Sequence, residues 1–225
     1  MDTNAYSVVI PAYNAEKHLD ETLQSVLAQT IPPVRIIVVD DGSTDQTAKV
    51  AANYGPVVEV ISTENRGSGA ATSSGIATVT TPILATLDSD DLWRPHKMET
   101  QLVHLHDPNL KLDAVLAKLE PFGEIDKKTA PVETSGWSRS ALTIWMSSFH
   151  KVGDIKDMGN GYGEMIDWFA RAKSMDLNFR LLDDVLVDRR IHSDSFSFKA
   201  SVNIGQRADF LKAAIHALER KKRMK

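Results

Sequence analysis

The chain has no cysteine, which excludes disulfides, thiolate metal sites and cysteine nucleophiles. Long apolar runs are also missing, and none approaches the roughly 18 residues that a membrane-crossing helix needs. Nor is there an excess of basic charge. The formal net charge is -4, so the basic face used to hold nucleic acid is not expected. The opening Met1-Asp2-Thr3-Asn4 is polar and leads directly into a strand, without the pattern of a signal peptide. Together these features predict a cytoplasmic protein with no membrane span and no nucleic-acid partner. The basic tail Glu219-Arg220-Lys221-Lys222-Arg223-Met224-Lys225 suits a solvated helix end at the negative pole of the helix dipole. A length of 225 residues with 42% apolar and 25% charged residues fits one globular domain with ample core. Nothing in the composition assigns an oligomeric state.

What is present is an alternation of strand and helix signals. Tyr6 to Ile10 is a strand candidate stopped by Pro11. Asn14 suits the cap of a following helix, whose Leu19, Leu23, Val26 and Leu27 fall on one face. Pro32 and Pro33 end that helix. Val34 to Val39 is nearly continuous in branched apolar residues, as buried parallel strands are. Asp40-Asp41-Gly42 then turns the chain, Ser43 and Gln46 have capping-box spacing, and Gly55-Pro56 closes the second helix. Val57 to Ile61 is a third strand, Gly67 to Ala77 a helix of small residues, and Ile83 to Leu87 a fourth strand. This order predicts an α/β fold with a mostly parallel, Rossmann-like sheet flanked by helices.

In such a sheet the carboxyl ends of the strands share one edge, and ligands bind there. Four polar turns are expected on that edge: Pro11-Ala12-Tyr13-Asn14, Asp40-Asp41-Gly42-Ser43, Asn65-Arg66-Gly67 and Asp88-Ser89-Asp90-Asp91. Alone, the last is an acidic turn of the kind that caps a helix. Three carboxylates within four positions repel one another, however, and a divalent metal carrying phosphate oxygens is the usual remedy. Four such turns on one edge read as a nucleotide and metal site.

The segments Ser7-Val8-Val9-Ile10-Pro11-Ala12-Tyr13-Asn14, Ser25-Val26-Leu27-Ala28-Gln29-Thr30, Val38-Val39-Asp40-Asp41-Gly42-Ser43-Thr44-Asp45 and Asp88-Ser89-Asp90-Asp91 with Pro95 resemble, in order and spacing, the inverting family-two glycosyltransferases of the A-type fold. The resemblance implies a single glycosyltransferase domain over residues 1–225, with a donor half at 1–100 and an acceptor half at 101–225 that ends in a lid and a helix. It implies a nucleotide-sugar donor, UDP-sugar first, with Mn2+ or Mg2+ as cofactor and transfer with inversion. The acceptor is a saccharide, a lipid-linked sugar or a peptide. Tyr13 suits the base, or else covers the first helix. Asp41 suits a uracil N–H or a ribose hydroxyl, while Asp40 braces its turn. Arg66 is placed to balance phosphate charge, or is a surface arginine. By resemblance Asp90 holds the metal and Asp88 the metal or ribose, with Ser89 beside them and Asp91 capping the next helix.

The second half carries fewer signals. Leu102 to Glu120 is amphipathic, with His104 and His106 as surface histidines, and Phe122 to Val132 reads as a loop or hairpin. Ser140 to Trp145 and Val185 to Val187 read as strands. Trp137 is an acceptor platform or a core residue. Gly159 to Gly163 forms a loop before a helix carrying Glu164, Asp167, Trp168 and Arg171. Inverting transfer uses a carboxylate to take the acceptor's proton. The family usually has a Glu-Asp pair here, and Met165 stands where that aspartate would be. Glu164 is the first candidate base and Asp167, three positions on along the same face, the second; the bland alternative pairs Asp167 with Arg171. In Arg190-Ile191-His192-Ser193, His192 matches a metal or diphosphate contact of the family and Arg190 a phosphate contact. The rest, to about Ser201, suits a lid, and Leu211 to Arg220 a final helix. The rival readings are a sugar-nucleotide-binding protein that has lost catalysis, a nucleotidyltransferase, and, more weakly, a dinucleotide-binding oxidoreductase.

Overall fold

The computed structural model describes residues 4–124, 136–156 and 163–193. In chain order the elements are β1 (Tyr6–Ala12), α1 (Leu19–Leu27), β2 (Arg35–Asp40), α2 (Thr47–Ala52), β3 (Val58–Ser62), α3 (Ser68–Ile76), β4 (Ile83–Thr86), β5 (Leu92–Trp93), α4 (Lys97–Leu105), β6 (Ala114–Gly123), β7 (Thr143–Trp145), α5 (Met146–Val152), α6 (Glu164–Ser174) and β8 (Phe179–Ile191). The predicted lid and the helix over 211–220 lie outside the described residues, as do most of the loops at 122–132 and 159–163.

Eight strands form one sheet in the order β3-β2-β1-β4-β7-β6-β8-β5. The first four are parallel, as the alternation predicts. From β7 onward the sheet is mixed. β7 runs antiparallel to both β4 and β6, β6 and β8 are parallel, and β5 is antiparallel to β8. β1 is buried along its whole length, and each such aliphatic side chain contributes about 1.5–3 kcal/mol by leaving water. Pro11 does not stop β1, because its place in the ladder needs no donor. The Val9 carbonyl accepts from Leu87 N–H and the Ala12 carbonyl from Asp41 N–H. Pro11 therefore faces the β4 side beyond that strand's last pair, Val9 with Thr86.

The small residues of α3 let it lie directly on β1 and β2. A Cβ at Gly75 would come within 2.7 Å of both Val9 Cγ1 and Val39 Cγ2. That close seat carries the first residues of α3, Ser68 and Gly69, to the carboxyl edge of the sheet. On α1, Leu19, Leu23 and Val26 are buried as expected, whereas Leu27 turns outward.

Several expected boundaries shift. No side chain caps α1 or α2, since Asn14 and Ser43 bond across to each other's turns. Asp91 does not cap a helix: Trp93 belongs to the short strand β5, and α4 begins at Lys97. The amphipathic pattern after Leu102 is half helix and half strand, because α4 ends at Leu105 and β6 then runs through Phe122. His106 is half-buried, edge-on to Trp145 at 5.0 Å. Ser140 lies in a 3-10 turn, Arg139–Ala141, ahead of β7.

The core contains an amine. Lys97 is fully buried, and its Nζ donates to Gln101 Oε1 at 2.7 Å and to Thr143 Oγ1 at 3.3 Å, 3.9 Å from the centre of the Trp93 ring. No carboxylate is among these contacts, and burial holds the amine well below its ordinary pKa. Between that lowered value and the ordinary lysine range the unfolded chain binds more protons, so stability rises with pH. Urea unfolding should find the protein about 1–3 kcal/mol more stable near pH 9 than near pH 7 through this group. Lys97→Met should flatten that slope without loss of stability at neutral pH; an unchanged slope would show the amine charged in the fold.

Candidate active site

The first two turns are joined by reciprocal hydrogen bonds. Asn14 N–H donates to Ser43 Oγ at 2.9 Å and Thr44 N–H to Asn14 Oδ1 at 2.9 Å. Ala15 N–H donates to Thr47 Oγ1 at 2.7 Å, and Gln46 N–H to Glu16 Oε2 at 2.9 Å. Asn14 adopts a positive φ of 49°, which asparagine tolerates better than most residues. These bonds tie the two turns together ahead of α1 and α2, and Tyr13 stands on the rim, 47% exposed. Pro11 and Ala12 are buried in β1 and shape the floor beneath it.

Asp40 accepts from Ser43 N–H at 3.2 Å and braces its turn, as expected. Asp41 is also a brace. Its Oδ1 accepts from Arg66 N–H at 2.9 Å and Thr63 Oγ1 at 3.2 Å, and its Oδ2 from Gly67 N–H at 2.8 Å. Buried to 3% exposure, it fixes the third turn to the second, and only its remaining lone pairs face a ligand. The Arg66 side chain is exposed and donates to Ser74 Oγ at 3.2 Å.

The acidic turn is organised by a segment that sequence reasoning passed over. Ser140 Oγ donates to Asp91 Oδ2 at 2.6 Å and accepts from Asp88 N–H at 3.2 Å. Arg139 Nη1 donates to Asp88 Oδ1 at 2.5 Å. Its Nη2 pairs with Glu164 Oε1, which also accepts from Ser68 Oγ at 2.7 Å. Thr86 Oγ1 holds the Arg139 carbonyl at 2.8 Å, and Trp93 Nε1 the Ser140 carbonyl at 2.8 Å. From the other side, Thr22 Oγ1 donates to the carbonyls of Ser89 and Asp91 at 3.0 Å each. Burial works against the Arg139 charge, but Asp88 and Glu164 outweigh it and hold the guanidinium above its ordinary pKa. Burial, then Asp90 and Asp88, push the Asp91 carboxyl well up. Arg139 and Ser140 carry no local signal, because their acidic partners lie 25 to 52 positions away.

Six predicted residues meet at this turn: Asp88, Ser89, Asp90, Glu164, Arg190 and His192. His192 Nε2 and Asp90 Oδ2 are 3.1 Å apart, two donors of kinds that divalent ions accept. Among the described residues no cluster of three or more His, Cys, Asp or Glu is placed to hold an ion, so this pair fits a metal only with ligands from elsewhere. The His18 ring lies 4.8 Å from that of His192; burial, then Arg190 and His192, lower its pKa.

Arg190 and two further candidates are engaged by protein groups, Asp167 and Trp137 in the second of the two ways the sequence offers. Arg190 N–H donates to Asp91 Oδ1 at 2.9 Å and its Nε to the Asp90 carbonyl at 2.9 Å, and the guanidinium pairs with Glu21 and stacks on Phe122. Asp167 is almost wholly buried and accepts from Arg171 Nε at 2.9 Å. Arg171 in turn donates to the carbonyls of Val152 and Asp154, at 2.7 and 2.6 Å, and so ties α6 to the end of α5. Trp137 packs edge-on to Phe169 at 5.1 Å and lies under Lys173 Nζ at 3.6 Å, partly buried against the core.

A family model described as glycosyl transferase family 2 matches residues 7–165. An uncharacterized glycosyltransferase of Rickettsia bellii is 37% identical over 217 residues, 88% of this chain and 31% of that protein. The chain spans about a third of the length of the curated relatives it matches. Among solved structures, the mannosyltransferase PcManGT of Pyrobaculum calidifontis, in complex with GDP-Man and Mn2+, superposes with a TM-score of 0.73 at 18% identity, over 96% of this chain and 64% of that one. S. aureus TarS residues 1–349, in complex with UDP-GlcNAc, gives 0.68 at 18% identity, over 95% and 69%. At such identities the likeness establishes the fold, that of the A-type glycosyltransferases.

Two substitutions test how the turn is built. Ser140→Ala removes the hydroxyl on Asp91 and should cost about 1–3 kcal/mol in urea unfolding. A Cβ at Gly69 would stand 2.5 Å from Glu164 Oε2. Gly69→Ala should therefore displace that carboxylate and cost about 1–3 kcal/mol, and Glu164→Gln should not relieve the clash, because the amide occupies the same volume. A neutral Ser140→Ala would show that the turn holds its shape without this segment.

Proposed function

We propose that this chain, which belongs to glycosyl transferase family 2, moves a sugar from a nucleotide-sugar donor to an acceptor with inversion at the anomeric carbon. The observation that carries the reading is the Asp88–Arg139–Glu164 bridge. It sets a buried carboxylate one guanidinium away from the acid that faces the donor, the arrangement a displacement needs if its base is to stand opposite the leaving group. In this reading residues 1–100 bind the donor, with Tyr13 against the base and Asp41 and Asp88 near the ribose. Residues 101–225 receive the acceptor.

Glu164 is the base of this proposal. Its Oε1 is bonded to Ser68 and Arg139, whereas its Oε2 is buried without a hydrogen-bond partner among the described residues. The carboxylate takes the acceptor's proton as the acceptor's oxygen attacks. Asp90 and His192 would hold Mn2+ or Mg2+, with the diphosphate completing the ligand set. The ion, when bound, stabilises charge on the departing nucleoside diphosphate. A UDP-sugar is the donor we favour, and a saccharide, lipid-linked sugar or peptide the acceptor.

A second reading has its own support. Met165 stands where the family's aspartate is expected, and Glu164 is buried in an ion pair. Both suit a protein that binds sugar nucleotides without turning them over. Thermal unfolding with UDP-, GDP- and dTDP-sugars, with and without Mn2+, tests the shared part of both readings. The cognate donor at about a hundred times its Kd should raise Tm by about 5–10 °C, and Asp90→Ala should remove the Mn2+-dependent part of the rise. No shift with any nucleotide sugar would overturn both readings. Donor hydrolysis that survives in Glu164→Gln at the wild-type rate would remove Glu164 as base.

A further inference from the structure

Arg139 joins two carboxylates of unlike exposure. Its own side chain and that of Glu164 are each 7% exposed, whereas that of Asp88 is 35% exposed. Asp88 is therefore the end of the bridge that an arriving ligand reaches. The guanidinium is a rigid fork, and the backbone carrying it is held by Thr86 and by Ser138 Oγ, which accepts from Ser140 N–H at 3.3 Å. Its Nε and Glu164 Oε2 are both buried without hydrogen-bond partners among the described residues.

We propose that Arg139 is a positioning residue that couples the two sides of the site: what engages Asp88 on the donor side sets how firmly the guanidinium holds Glu164. The inference rests on the glycosyl-transfer reading for the meaning of the two sides, and it deepens that reading by assigning a residue to their communication. A ribose hydroxyl or a cation at Asp88 draws on the oxygens that now hold Nη1. The guanidinium then turns its full charge on Glu164 and fixes that carboxylate when donor is present. Linkage makes the effect reciprocal. If Glu164 loses its charge, Arg139 falls back on Asp88 and opposes the donor. A lysine at this position would keep the charge but, as a point charge, would not span both acids.

The test is calorimetric binding of UDP with Mn2+, or of GDP with Mn2+ if the wild type takes that instead. The proteins compared are wild type, Glu164→Gln, Arg139→Lys and the double variant. Glu164→Gln should weaken binding about fivefold or more when Arg139 is present, and by less than about twofold in the Arg139→Lys background. An equal effect in both backgrounds, or no effect in the first, overturns the proposal. If neither nucleotide binds the wild type, the donor assignment fails by itself, and the coupling is decided by urea unfolding. Asp88→Asn and Glu164→Gln should then be non-additive with Arg139 and additive with lysine in its place. Additivity in both backgrounds overturns the coupling whatever the protein binds.

Discussion

Carboxylates withdrawn from water must be matched by donors or by cations, and that requirement shapes this molecule where its two halves meet. Asp91 and Glu164 are buried beside the partly exposed Asp88, and uncompensated burial of either would cost several kcal/mol. The chain answers with a single arginine and a single hydroxyl from one 3-10 turn. Arg139 neutralises Asp88 and Glu164, while Ser140 and the Arg190 N–H satisfy the two oxygens of Asp91. Because the turn follows β6 in sequence and Asp88 and Asp91 follow β4, this compensation also fixes how the second half of the sheet is hung on the first.

The change from parallel to antiparallel pairing serves the same end. A fifth parallel strand beside β4 would need another crossover and would deliver its carboxyl-end turn to the edge. β7 instead enters antiparallel to β4, with Ala85 opposite Thr143, so the residues just before β7 arrive at the carboxyl end of β4. Those residues are Arg139 to Leu142. The pairing direction places Arg139 and Ser140 beside Asp88, and β8 then returns along β6 to bring Arg190 and His192 to the same turn.

The first half of the fold was legible because its signals are local. Branched apolar runs, prolines and polar turns mark β1 to β4, and parallel topology alone gathers their ends on one edge. The second half was not, for reasons visible in the strands. β8 mixes buried and exposed positions without alternation, and its register against β6 shifts twice between Leu116 and Leu119. Irregular pairing erases the period that would announce a long strand. The site divides in the same way. Tyr13, Asp90 and His192 stand where chemistry can use them. Asp41, Arg190, Asp167 and Trp137 have chemistry-bearing side chains that the architecture engages. Residue type at a matching position shows that a group reaches the site; it does not show which way the group faces once there.

That engagement bears on how a diphosphate would be held. Its charge has the same sign as the acidic turn, so binding calls for a cation between them. Among the described residues the arginines nearest the turn already have carboxylate partners: Arg139 has Asp88 and Glu164, Arg190 has Glu21, and Arg94 has Glu120 and Asp188. Arg66 is exposed at the next turn, with only a hydroxyl on its guanidinium. Freeing an arginine from its acid to meet a phosphate would strand the acid, and in the Arg139 bridge that acid is buried. An ion arriving with the donor avoids the exchange, because it satisfies Asp90 and the phosphate together and strands nothing. The His192 imidazole beside Asp90 adds a nitrogen of the kind that divalent ions accept. The electrostatics of the turn therefore favour a donor that brings its own cation over one met by a side chain released from the fold.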